Sequence, residues 1–167
     1  KLADVIDHTL DSTIEKVIET IVEIVNVVTD NEYEGLLEEV SDLIQTFVGG
    51  TVGDPIIYFE DVTVGEILDS IGNIAEELGA DEDVITIIER WEELFDDVRL
   101  GYFGEDLGEI KIVDLADAIY DTMDIIDPEY KEISDGLREI YEDLFGDMTI
   151  RDVAEGALEE LEISAVV

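Results

Sequence analysis

Carboxylates are almost the only reactive groups this sequence offers. Its 167 residues hold 47 Asp and Glu against 8 Lys and Arg, with one His and no Cys. The absence of Cys excludes disulfides, thiolate nucleophiles and zinc–thiolate sites, and a lone His8 cannot build a multi-histidine metal centre. Ca2+, which takes oxygen ligands, is the first chemistry to weigh. Acids bunch at the ends of predicted helices, and the candidate metal ligands are Glu60, Asp61, Asp96, Asp97, Glu105, Asp106 and Asp147. No EF-hand accompanies them. With Gly108 as the turn glycine, the first and fifth ligand positions of that loop would fall on Phe103 and Leu107. The acids therefore imply loose sites for Ca2+ or other cations, and no cofactor is required.

Enzymatic readings find less footing. Glycoside hydrolysis needs two acids about 5 Å or roughly 6.5–9.5 Å apart beside a sugar platform. Trp91, Phe95, Tyr141 and Phe145 fall instead on apolar helix stripes, where core packing accounts for them. His8 has Asp4 and Asp11 as helical neighbours but no identifiable Ser or Cys partner. The glycines of Gly49-Gly50-Thr51-Val52-Gly53 are not followed by the Lys of a phosphate loop. The chain reads as non-enzymatic.

Net charge narrows the partners. At −39, each net charge on a compact globule of this mass would occupy only about 200 Å² of surface. Such self-repulsion is relieved by salt, since the Debye length falls from about 10 Å at 0.1 M to about 3 Å at 1 M. A high-salt or divalent-rich setting is expected. Nucleic acid and anionic membranes are excluded as partners, because both are bound through Lys/Arg clusters and no base lies between Lys16 and Arg90. A basic protein partner fits the charge. No apolar run reaches 18 residues, so no membrane insertion is expected. With 46% hydrophobic residues the chain is too apolar for an acidic disordered tail. It begins at Lys1 rather than Met, which suggests processing and an extracellular or cell-surface location.

Apolar spacing supplies the elements that hold these acids. Leu36, Leu37, Val40, Leu43, Ile44, Phe47 and Val48 follow the three-and-four rhythm of one helix face, and five later stretches do the same. The first segment is rich in β-branched residues, but Asp4, Asp7, Asp11, Glu15, Glu19 and Glu23 step by three or four and predict one helix through residue 28. Like charges four apart cost about 0.2–0.5 kcal/mol each, so this face needs screening or a basic partner. Seven helices result. They alternate between A and B types, with short strands expected at 56–59, 98–103 and 109–112.

These helices repeat. Thr63-Val64-Gly65-Glu66 and Thr149-Ile150-Arg151-Asp152 both read as capping boxes, and Lys111-Ile112-Val113-Asp114 is the same frame with its Thr replaced. Residues 1–6 fall on that frame too, with Thr9 over Thr122. Independently, 91–97 overlies 141–147 and 30–33 overlies 127–130. The expectation is an all-α, single-domain helical-repeat array of about three and a half helix-pair units: 1–55, 56–103, 104–146 and a half unit, 147–167. By this frame the first helix lacks its cap and the closing residues form an extended apolar tail. Lys1, Leu2 and Val5 at one end, with Ile163, Ala165, Val166 and Val167 at the other, are the expected assembly interface. The predicted protein is a structural subunit that joins head to tail into a filament or layer; the alternatives are a monomeric Ca2+ binder or buffer and an adaptor for a basic partner.

Overall fold

The computed structural model describes residues 2–166, and the side chains of 3–159. Its helices are α1 (Leu2–Leu10), α2 (Ile14–Thr29), α3 (Glu34–Phe47), α4 (Val64–Glu77), α5 (Glu82–Phe95), α6 (Phe103–Gly108), α7 (Ile112–Ile126), α8 (Lys131–Phe145) and α9 (Ile150–Val166). One antiparallel ribbon joins β1 (Val48–Gly50) to β2 (Pro55–Ile57), pairing Gly49 with Ile56. Single 3-10 turns lie at Leu100–Tyr102 and Pro128–Tyr130. The protein is all-α with this one small ribbon.

Six predicted helices form where their spacing puts them, and both threonine capping boxes close, whereas Asp81 and Lys111 precede α5 and α7 without a side-chain cap. The Thr63 hydroxyl accepts from the Glu66 amide at 3.1 Å while the Glu66 carboxylate accepts from the Thr63 amide at 2.8 Å. Thr149 and Asp152 make the same reciprocal pair. Gly79 and Gly146 end α4 and α8 with φ of 76° and 49°, a region that costs a glycine little.

The first predicted helix is corrected to two. Thr13 is extended, with φ −68° and ψ 147°, and its hydroxyl caps α2 by accepting from the Lys16 amide. Ahead of it, the Leu10 and Ser12 carbonyls accept from the Gly53 and Val52 amides, which pulls the chain out of helical geometry. The acidic spacing runs through this break unaltered because both helices expose the same kind of face. With Lys16 where an acid would complete the box, Thr13 was not visible as a start signal. The frame that put Lys1 at a helix start is therefore displaced: Thr13 stands where Thr63 and Lys111 stand.

Three isolated bridges involve these residues. Thr13 pairs with Thr51, Thr63 with Arg99 and Lys111 with Thr149, each joining the residue before one helix to a residue beyond the next. Around the second, the Val64 amide donates to the Val98 carbonyl at 2.7 Å and the Leu100 amide to Val62 at 2.9 Å. Val62 and Val98 are 3% and 2% exposed, two of four fully buried apolar residues among those described. The strands expected at 98–103 and 109–112 shrink to single bridges, and residues 103–108 are helical; only 56–57 of the first expected strand pair, in β2.

Packing follows chain order. The principal helix contacts are α2–α3, α3–α4, α4–α5, α5–α7 and α7–α8. Gly65 lets α4 and α5 approach closely, since a Cβ there would lie 2.6 Å from the Asp96 Cα. Helix α9 is different: among the described residues its principal helix contact is with α6. Thr149 occupies the bridge position of Thr51 and Arg99, so α9 starts where the earlier pairs are followed by a linker. The backbone is helical to Val166, which replaces the extended tail expected over 163–167.

Candidate functional site

The candidate metal ligands lie at or near helix ends, Glu105 and Asp106 within the short α6, and several already have partners. Asp106 accepts from Arg99 three times, at Nε (2.8 Å), at a terminal guanidinium nitrogen (2.9 Å) and at the backbone amide (3.0 Å). The Arg99 side chain and amide hold its carboxyl down at about 2. Asp61 lies close enough to add to the field around Arg99. Glu60 meets the same junction through its backbone, accepting the Gly101 amide. Asp147 accepts from Lys111 Nζ at 2.6 Å, and the lysine holds its carboxyl below the usual range. Glu105 contributes its carbonyl to Arg151. Asp96 packs its backbone on Gly65, and Asp97 follows it at the end of α5. Among the described residues, no three His, Asp or Glu form a group that could hold a metal ion.

Scarce bases, rather than abundant acids, mark the organised polar sites. Arg90 on α5 and Arg138 on α8 both donate at 2.7 Å to Asp121 on α7, one to each carboxylate oxygen. Burial pushes the Asp121 carboxyl up, but the two arginines outweigh it and hold the group below its ordinary value. Arg138 also reaches Asp124 at 3.4 Å, which in turn accepts a short hydrogen bond from the Ser134 hydroxyl. Trp91 Nε1 donates to the Thr122 hydroxyl at 2.9 Å beside this network. Sequence reading missed it. The available signal was rarity: in a chain with 8 bases, a base on an otherwise apolar or acidic helix face is placed to neutralise something.

The groove between α2 and α3 has no such neutraliser. Glu15, Glu19 and Glu23 face Glu34, Glu38 and Asp42 across a cavity of about 650 Å³. Asn26 Oδ1 lines it, buried and without a hydrogen-bond partner. Elsewhere, Glu39 on α3 and Glu92 on α5 have raised carboxyls, through burial first and then the charges of Asp42 and Asp69 respectively.

Exposed apolar residues form the other conspicuous surface. On α2, Ile24, Val27 and Val28 are 58%, 82% and 78% exposed; on α8, Ile140 and Leu144 are 52% and 67% exposed. Of the expected interface, Val5 is an exposed residue of α1. Lys1 and Val167 lie outside the described residues, as do the side chains of Leu2, Ile163, Ala165 and Val166. No helix among the described residues is long and apolar enough to cross a membrane. No protein-family model matches this chain, and neither does any curated protein or solved structure.

Proposed function

We propose that this protein is a non-enzymatic structural subunit: an acidic array of repeated helix pairs that self-associates head to tail into an extracellular filament or surface layer where salt or divalent cations are abundant. The repeat is supported by the three bridges, which close helix pairs at matching places. The observation that carries the assembly reading is uncovered apolar surface on two helices: Ile24, Val27 and Val28 of α2 and Ile140 and Leu144 of α8 are all more than half exposed. Large exposed apolar patches on soluble proteins mark interaction surfaces. Cations, Ca2+ among them, act here by diffuse screening of the acids, so that like-charged copies can meet.

Sedimentation velocity tests this reading. The mass distribution shifts from monomer at 0.1 M NaCl to a ladder of higher species at 2 M, and a chain that stays monomeric throughout contradicts it.

The α2–α3 groove favours a second reading, an adaptor for a basic partner. Six carboxylates without a base are electrostatically suited to a guanidinium, as Asp121 is to Arg138. Saturable titration with an Arg-rich peptide, lost in Glu19→Gln/Glu38→Gln, would support it.

A further inference from the structure

Resting on the assembly reading, the inference here specifies its joint. The bridges set a common frame for counting. Positions 4, 7, 11 and 14 beyond the capping residue are Ile67, Ser70, Ile74 and Glu77 on α4, and Leu115, Ala118, Thr122 and Ile125 on α7. These faces lie against the preceding helix. A Cβ on Gly35 of α3 would run into Glu77, and Thr122 receives the Trp91 hydrogen bond from α5. Ser70 is 8% exposed and Ala118 is 0% exposed, small residues that let two helices close together. The same count from Thr13 gives Val17, Thr20, Ile24 and Val27 on α2. Among the described residues this face is the least covered of the three: Thr20 is exposed where Ser70 and Ala118 are buried, and Ile24 and Val27 are 58% and 82% exposed.

At the other end of the stack the complement is bare. Counting back from the closing bridge residue, Ile87, Arg90 and Leu94 of α5 correspond to Leu137, Ile140 and Leu144 of α8. The frame is supported by matching stacks, Trp91 on Phe95 at 5.8 Å and Tyr141 on Phe145 at 5.4 Å. Arg90 reaches forward to Asp121 on α7. Its counterpart Ile140 is exposed.

We infer that α8 of one copy seats on α2 of the next, repeating the α5–α7 contact between molecules and setting Ile140 opposite Glu23, the counterpart of Asp121. The occupant is a second copy because the two faces have matching counts in one frame, and that frame already packs twice within the chain. The contact is heterologous, so it propagates rather than closing a dimer.

Three variants of the full chain, followed by sedimentation velocity at 2 M NaCl with circular dichroism as a folding check, test the joint. Ile140→Glu puts a carboxylate opposite Glu23 and lowers the association constant by at least about tenfold. Adding Glu23→Arg to it restores assembly. Ile140→Arg alone strengthens assembly, by recreating the Arg90–Asp121 pair between copies. If Ile140→Glu assembles like the wild type, or Glu23→Arg fails to rescue it, the joint is overturned while the assembly reading stands. A wild-type chain that never assembles overturns both.

Discussion

Asp121 shows what a single carboxylate does in this protein. It holds two arginines from two different helices, one on each oxygen, and so ties α5, α7 and α8 together. Asp121→Ala leaves both guanidiniums without their shared acceptor and should cost about 1–3 kcal/mol in denaturant unfolding at molar salt. Asp106 makes a prediction about pH. Its carboxyl is held at about 2 by Arg99, below its unfolded value, so its contribution is present above about pH 4 and is lost as pH falls toward 2. Amide shifts of residues 99–108 should follow that titration, and in Asp106→Asn they should not. Neither pairing was legible in sequence. Asp106 and Asp147 read as metal ligands because acids at helix ends suit a cation; the cations they met were Arg99 and Lys111.

Helices were legible because apolar spacing and caps report local physics. All of Thr63, Thr149, Gly79 and Gly146 punctuate the chain as their residue types require. Where the reading failed, the deciding contact was distant in sequence. The break after α1 is fixed by amides of residues 52 and 53, about forty positions downstream, and periodicity in the first segment carries no trace of them. Thr13→Ala tests its importance. Losing the hydroxyl that caps α2 should cost about 1 kcal/mol in thermal or chemical unfolding, with α2 amides exchanging faster. The displacement of α9 has the same origin: its capping box is intact, but the bridge between Lys111 and Thr149 sets it against α6.

At the scale of the molecule, charge and uncovered apolar surface oppose each other. Glu39 and Glu92 have carboxyls raised by burial and by neighbouring acids, so folding is penalised where they are ionised. That penalty is relieved as pH falls from neutral through their raised values to the ordinary glutamate range, so stability in dilute buffer should rise as neutral buffer is made mildly acidic. Added salt should shrink the difference. In the proposed assembly, screening the same charges would let the apolar faces of α2 and α8 meet. Small-angle X-ray scattering across a salt series measures that outcome most directly. Particles that lengthen with salt while keeping the cross-section of one molecule are the predicted result. A monomer unchanged at every salt concentration, or clusters that thicken in all directions, would contradict end-to-end assembly.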